Sequence, residues 1–243
     1  PHTPQILSLK AQRMTLGLLI CDRVAPEFLD THGDYPAMFE SLFESLDCRT
    51  YFVCDGHFPE SPQACDAWLI SGSRRSVYEE VEWIQRLKSF VQLIHQSGKK
   101  CIGVCFGHQM LAEALGGKVE KAAVGWCIGI HAFELRSSTA WLKAEHSPIH
   151  LLMMCQDQVI QLPPDSRVLA SAADCPVGML LVSERMLGLQ AHPEFSKAYT
   201  RALMESRVER IGAQRLRAGI DSLQQDVDRS VIKSWLLHFL AES

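Results

Sequence analysis

The sequence predicts an α/β fold with a mostly parallel sheet, helices on both of its faces, extra β-strands and a C-terminal helical segment. In the first half of the chain, short apolar runs alternate with runs whose apolar residues recur at helical spacing. After Gly116 and Gly117, strand-like runs follow one another without a helical run between them, and helical spacing returns from Ser196 onward. Alternating strands and helices are typical of a parallel sheet with helices on both faces.

The first half of the chain supplies the predicted parallel strands. Strands are predicted over residues 14–20, 49–54, 66–71 and 99–104, where apolar runs are bounded by polar or turn residues. Helical spacing predicts a helix over residues 35–47 and a strongly amphipathic one over residues 79–97. Gly98 follows the second helix as a stop signal. The helix that follows residue 104 completes this half.

The second half supplies the predicted extra strands and the helical tail. Strand-like runs occupy residues 118–135, 150–162, 167–172, 177–182 and 186–191. We expect them to pack on the same core and not to form a second domain. In the tail, one apolar stripe is predicted, formed by Ile220, Leu223, Val227, Val231 and Trp235. Such a stripe is expected to pack back on the domain, with a homodimer contact as the alternative.

Composition excludes several classes of protein. The chain has 243 residues, of which 47% are hydrophobic and 21% charged, and its formal net charge is −4, so it offers no basic field for nucleic acid. No apolar run approaches the roughly 20 residues that span a bilayer, and no signal peptide is apparent. Nine cysteines without regular spacing favour reduced thiols and a cytoplasmic location. Residues 1–13 are predicted to be a leader outside the fold, and residues 14–243 a single domain.

The stretch between the predicted strand at 99–104 and its helix carries a candidate nucleophile. Residues 103–107 follow the pattern Gly-x-Cys-x-Gly, which is the nucleophile-elbow pattern with cysteine in place of serine. Cys105 would stand at a helix N-terminus, where the helix dipole favours the thiolate that attacks a carbonyl. The alternative is an inert cysteine buried in the core. A partner base elsewhere in the chain would favour the catalytic interpretation.

His192 is the candidate base. It follows an apolar strand at residues 188–191, and the sequence continues with Pro193 and Glu194. Proline ends the strand and fixes the backbone, so Glu194 can face the imidazole, hold its tautomer and stabilise the imidazolium. His192 would take the proton from Cys105 and later deliver it to the leaving amine.

Two other interpretations concern the residues around Cys105. His108 lies three residues later on the elbow helix and is predicted to be structural. Cys101, Cys105 and His108 are three potential metal ligands, but there is no C-x-x-C pair and no fourth ligand at recognisable spacing. No metal is therefore predicted. The sequence also lacks a glycine-rich phosphate-binding fingerprint, and no cofactor is predicted.

Two linked motifs resemble a known family. Gly-Val-Cys-Phe-Gly-His-Gln at residues 103–109, followed by Gln-Ala-His-Pro-Glu-Phe at 190–195, is similar to the class I (triad) glutamine amidotransferase domain. Further similarity to the stand-alone branch, which includes γ-glutamyl peptidases and GMP-synthase-like amidotransferases, lies at residues 55–59, 70–73, 79–83 and 156–159 and in the helical tail. The resemblance covers residue 14 to the C-terminus and implies a flavodoxin-like sheet. It also implies a catalytic triad of Cys105, His192 and Glu194.

The resemblance implies further site residues. The backbone N–H groups of Gly72 and Phe106 match the family's oxyanion hole. Gln109 matches the residue that contacts the bound glutamyl group, and Gly125 and Trp126 lie where backbone groups meet its α-amino and α-carboxylate ends. The alternative for Gln109 is an amide on the helix surface, and the alternative for Trp126 is a core aromatic residue.

The implied activity is hydrolysis of γ-glutamyl amides through a γ-glutamyl thioester on Cys105. We expect a small γ-glutamyl substrate and a γ-glutamyl peptidase or free-standing amidase. One alternative is a glutaminase subunit that supplies ammonia to a separate synthetase, because the chain shows no ATP-binding motif of its own. Another is a degenerate fold for binding or thiol sensing. Cys155 stands where many relatives have histidine, which puts the glutamyl-pocket contacts in question without affecting the three catalytic groups.

Overall fold

The computed structural model describes residues 13–242, so the leader predicted over residues 1–13 lies outside them except for Arg13. In chain order the strands are β1 (Thr15–Ile20), β2 (Asp47–Phe52), β3 (Ala67–Ile70), β4 (Lys100–Val104), β5 (Lys118–Lys121), β6 (Cys127–Leu135), β7 (Ile149–Cys155), β8 (Asp157–Gln161), β9 (Ser166–Ala172), β10 (Cys175–Val182) and β11 (Met186–Leu189). The helices are α1 (Pro26–His32), α2 (Tyr35–Leu42), α3 (Glu82–Ser97), α4 (Phe106–Ala114), α5 (Lys197–Ser206), α6 (Val208–Ile211), α7 (Ala213–Ser222) and α8 (Arg229–Ala241).

A nine-stranded sheet organises the described residues, in the order β2-β1-β3-β4-β11-β10-β9-β6-β7. The five strands from β2 to β11 are parallel, and β10, β9, β6 and β7 extend the sheet through antiparallel pairs. β5 and β8 form a separate antiparallel pair. The predicted α/β class with a largely parallel sheet is confirmed.

Helices cover both faces of the sheet. Because neighbouring strand residues point to opposite faces, Leu18 packs in one apolar cluster with α2 and α8, while Leu19 packs in another with α3 and α4. A third cluster joins α5 to β6 and β7 through residues such as Tyr199 and Leu152. The fully buried strands β1, β3 and β4 explain the continuous apolar runs in their sequences.

Several predicted boundaries are wrong. The helix predicted over residues 35–47 ends at Leu42, because the backbone leaves the helical conformation at Phe43 and Asp47 already begins β2. The helix predicted over residues 79–97 begins at Glu82, since Val81 is extended. Helix α1 was not predicted; it buries none of its residues and therefore has no apolar pattern.

The two long strand runs and the tail are also interrupted. Residues 118–135 divide into β5 and β6, and residues 150–162 divide into β7 and β8. The predicted single stripe in the tail is split by a turn between α7 and α8. Its first three members, Ile220, Leu223 and Val227, pack against the α5 cluster, whereas Val231 and Trp235 pack against the main sheet. The stripe therefore docks on the fold, but on two separate surfaces.

Strand register places the candidate site at the carboxyl edge of the sheet. Val104 at the end of β4 pairs with Leu189 at the end of β11, and Ile70 at the end of β3 pairs with Gly103. The segments that follow these three strands therefore meet at one edge, where ligands bind in open α/β sheets. Within the described residues, no helix has the length and apolar character needed to cross a membrane.

Candidate active site

Cys105 occupies a strained turn between β4 and α4. Its φ is +53° and its ψ is −103°, a conformation that residues other than glycine rarely adopt and that is typical of a nucleophile elbow. The flanking glycines are required by close packing. A Cβ on Gly103 would lie 2.4 Å from the Gly107 carbonyl oxygen, and one on Gly107 would lie 2.3 Å from the Ile70 carbonyl oxygen. Only glycine at both positions lets the strand, turn and helix approach so closely.

The Cys105 thiol is held by polar groups at the edge of the sheet. Nε2 of Gln190 donates to Sγ at 3.6 Å, and Sγ faces the carbonyl oxygen of Met154 at 3.9 Å. The Cys105 N–H donates to the carbonyl oxygen of Leu189 at 2.8 Å, which ties the elbow to β11. Sequence reasoning assigned no role to Gln190, although it lies in the same motif as His192.

His192 and Glu194 form a buried pair beside Cys105. Nδ1 of His192 lies 2.7 Å from Oε1 of Glu194, and the imidazole stacks on the Phe195 ring at a centroid distance of 3.9 Å. Burial alone would lower the pKa of His192, but the charges of Glu194 and Cys105 and hydrogen bonds to both outweigh it and raise the pKa to about 10. The structure thus places the three residues together: His192 pairs with Glu194, and Gly72 borders both His192 and Cys105.

The two predicted oxyanion donors lie on either side of Cys105. A Cβ on Gly72 would lie 3.0 Å from Cε1 of His192 and 3.7 Å from Cβ of Cys105, so the Gly72 backbone borders both side chains. Phe106 is the first residue of α4, where helix N–H groups have no intrahelical acceptor. In the described part of the chain, neither N–H donates to a protein acceptor.

Gln109 and Trp126 border the same cleft as Cys105, and Gly125 does not. Gln109 is buried and not on the helix surface, with Nε2 donating to the Asp157 carbonyl oxygen at 2.8 Å. Trp126 is also buried, and its carbonyl oxygen accepts from Arg215 at 2.6 Å. Gly125 adopts φ +80° in a turn whose N–H donates to Ala122. Gly125 thus lies in the turn before β6.

The cleft beside Cys105 has a volume of about 210 Å³ and a largely cationic wall. Its charged lining residues are Arg74, Arg75, Lys121, Arg207 and Arg210 on the cationic side and Glu79 and Asp157 on the anionic side. The sequence motifs did not predict these cations, which lie in three separate segments of the chain. Arg74 and Arg75 were detectable in principle, because they directly follow the strand-end motif at residues 70–73.

Comparison with known proteins identifies the family. The model of the family described as glutamine amidotransferase class-I matches residues 29–208. The chain belongs to the class-I glutamine amidotransferase family. It is 30% identical to γ-glutamyl peptidase 3 of Arabidopsis thaliana over 197 residues, which are 76% of this chain and 78% of that protein.

Two further matches concern a longer relative and the fold. The chain is 33% identical to the glutamine-hydrolysing GMP synthase of an Azoarcus species over 135 residues, covering 52% of this chain and 25% of that protein. A glutamine amidotransferase of known structure from Thermotoga maritima superposes with a TM-score of 0.77 at 18% identity, covering 95% of this chain and all of that one. The resemblance drawn from the sequence motifs is confirmed.

Cys155, which replaces the histidine of many class-I amidotransferases, lines the cleft and is buried. It lies directly opposite Cys127 in the register of β6 and β7. A hydrogen bond with the Cys127 thiol and burial raise the pKa of the Cys155 thiol well above its usual value. Cys155 is therefore a neutral side chain in the cleft wall of this amidotransferase fold.

His108 and Cys101, the two potential metal ligands considered together with Cys105, are buried in the protein core. His108 is fully buried, and burial lowers its pKa to about 4, so its imidazole is neutral. It packs against Gly188, where a Cβ would lie 2.3 Å from Nδ1. Cys101 packs in the apolar cluster on the opposite face of the sheet from Cys105. The structural role predicted for His108 agrees with this burial.

Proposed function

We propose that this protein is a cysteine hydrolase of γ-glutamyl amide bonds, and specifically a γ-glutamyl peptidase or free-standing amidase. The observation that carries the proposal is the buried Cys105 beside the His192–Glu194 pair at adjacent strand ends, in a chain whose relatives include γ-glutamyl peptidases. Such an arrangement joins a nucleophile, a base and the group that orients the base.

In the proposed first step, the Cys105 thiolate attacks the γ-carbonyl carbon of the substrate. His192, whose pKa is raised to about 10, is a base strong enough to hold the proton that the Cys105 thiol gives up as its sulfur attacks. The N–H groups of Gly72 and Phe106 would stabilise the oxyanion, a contribution on the order of 3 kcal/mol per donor.

In the proposed second half, His192 donates its proton to the leaving amine as the C–N bond breaks, and a γ-glutamyl thioester remains on Cys105. His192 then accepts a proton from water, which attacks the thioester and releases glutamate. Glu194 accepts the Nδ1–H of the imidazole throughout, which leaves Nε2 to exchange the proton with the sulfur, the leaving amine and water.

A substrate panel tests this proposal. Purified protein would be assayed with γ-glutamyl dipeptides, glutathione conjugates and free glutamine, with Cys105→Ala as the matched inactive variant. Release of amine or dipeptide that is lost in Cys105→Ala supports the peptidase. Full activity in Cys105→Ala would exclude Cys105 as the nucleophile. If no substrate is hydrolysed, a binding or thiol-sensing role would be favoured.

A glutaminase subunit is the second candidate. The match to the Azoarcus GMP synthase covers one quarter of that longer protein, as expected if an amidotransferase unit is joined there to further parts. Ammonia release from glutamine alone, stimulated by a separate synthetase, would support this function. The cytoplasmic location, the single domain over residues 14–243 and a possible homodimer remain part of the proposal.

A further inference from the structure

Arg207 occupies a distinctive position beside Cys105. It follows α5 directly and lines both the main cleft and a smaller neighbouring cavity. The smaller cavity is also bordered by Gly72 and His192, whereas Gln109 borders only the main cleft. Arg207 therefore borders both cavities and shares the smaller one with His192 and Cys105.

The guanidinium of Arg207 is free to bind a ligand. By contrast, the guanidinium of Arg74, which also lines the cleft, donates to the Asp22 carboxylate at 2.9 Å and to the Arg23 carbonyl oxygen at 2.9 Å. Arg75 is likewise paired with Glu79 at 2.8 Å. Across residues 13–242, no hydrogen bond or ion pair joins the Arg207 guanidinium to a protein acceptor.

Burial makes it energetically unfavourable for the Arg207 guanidinium to lack an anionic partner. Removal from water lowers the pKa of Arg207, and the nearby charges of Arg210 and Arg74 act in the same direction. The indole of Trp126 lies under both arginines, with ring-centroid distances of 5.9 Å to Arg207 and 5.2 Å to Arg210. A half-buried cation held in place without a counter-charge is stabilised when an anion binds.

The chemistry of the reaction indicates which part of the substrate carries that anion. His192 must deliver its proton to the leaving amine, so the leaving group faces the cavity that His192 and Arg207 share. We propose that Arg207 binds a carboxylate on the leaving group, so that the protein prefers γ-glutamyl amino acids or peptides with a free carboxylate over glutamine. This inference rests on the proposed function.

A pair of substrates tests the inference directly. γ-Glutamyl-glycine and γ-glutamyl-glycinamide release amines of almost equal size that differ in one negative charge. We expect wild-type protein to favour the acid by about ten- to hundredfold in kcat/KM, as charge-assisted hydrogen bonds allow. Arg207→Gln should remove most of this preference by lowering the rate on the acid alone, and Arg207→Lys should restore part of it.

Control variants separate selectivity from folding. Arg201→Gln changes an exposed arginine of α5 that pairs with Glu205 and should leave the preference intact. Retained activity of Arg207→Gln on the glycinamide would show that this variant is folded. Should it not fold, Arg207→Lys keeps the positive charge without the planar guanidinium, and it should still show a smaller preference than the wild-type protein.

The outcomes distinguish the two proposals. Equal wild-type rates on the acid and the amide would overturn the inference while leaving γ-glutamyl hydrolysis intact. An equal loss on both substrates in Arg207→Gln would also overturn it, since the arginine would then bind the α-carboxylate that both share. No hydrolysis of either substrate would overturn the proposed function, and the inference with it.

Discussion

Nε2 of Gln190 donates a hydrogen bond to Sγ of Cys105 at 3.6 Å. The Gln190 side chain is fully buried, and its Oε1 accepts from Nε2 of Gln109 at 3.3 Å. One amide therefore links the candidate nucleophile to a residue of the cleft wall. Its position follows from register, because Gln190 continues β11 next to the residue that follows β4.

Gln190→Leu should lower kcat/KM on a γ-glutamyl substrate by roughly tenfold, because the sulfur loses a donor and Gln109 loses an acceptor. Steady-state kinetics on the purified variant would measure the change. Gln158→Leu is a matched control: Gln158 is also buried and donates to a cysteine sulfur, that of Cys127, at 3.4 Å. An equal loss of activity in both variants would contradict a specific role for Gln190.

The turn at Cys105 and the His192–Glu194 pair can be predicted from the sequence because both are local features. Gly103 and Gly107 identify the elbow because a side chain at either position would clash with the backbone. His192 and Glu194 are only two residues apart and form a pair. The order of the parallel strands then brings the two segments together. Strand ends in a parallel sheet lie at one edge, so this meeting was predictable without coordinates.

The remainder of the site depends on distant segments. Arg207 enters the cleft because α5 packs on β7, a contact between parts of the chain that carry no motif. The apolar stripe of the tail was misassigned for a similar reason: helical spacing continues through the turn before α8, although the two parts face different clusters. Periodicity reports an apolar face but not the surface on which it packs.

Cys105→Gly should be more stable than Cys105→Ala, although both lack the proposed nucleophile. The backbone at residue 105 has φ +53°, which glycine adopts freely and alanine only with strain. We expect the glycine variant to have a free energy of unfolding larger by about 1 kcal/mol. Urea denaturation of both variants would measure the difference, and a more stable alanine variant would contradict strain at the elbow.

Glu194→Gln should change the pH dependence of stability. The folded-state pKa of His192, about 10, lies above its ordinary value of 6.5. The stabilisation from the imidazolium is therefore fully present below about pH 6.5 and is lost as the pH rises toward 10. Without the Glu194 charge, burial acts to lower this pKa, so the variant should lose less stability between pH 7 and 9.5.

Urea denaturation at the two pH values would measure this difference, and the γ-glutamyl hydrolysis rate of Glu194→Gln should fall by about a hundredfold or more. Glu205→Gln is the control, because Glu205 forms an exposed ion pair with Arg201. It should retain both the wild-type pH dependence and the wild-type rate. If Glu194→Gln and the wild-type protein lost the same free energy of unfolding between pH 7 and 9.5, Glu194 would not be the group that stabilises the imidazolium.

Gly107→Ala should destabilise the fold more than Gly98→Ala. At residue 107 the new Cβ would lie 2.3 Å from the carbonyl oxygen of Ile70, a backbone atom of the buried strand β3 that has no room to move. At residue 98 the Cβ would contact no other atom, so the loss of stability in Gly98→Ala comes only from the backbone strain of an alanine at φ +73°. We expect losses in the free energy of unfolding of roughly 3 kcal/mol and 1 kcal/mol, respectively. Equal losses would mean that the turn around Cys105 relaxes freely, and close packing would then not explain the second glycine of the elbow.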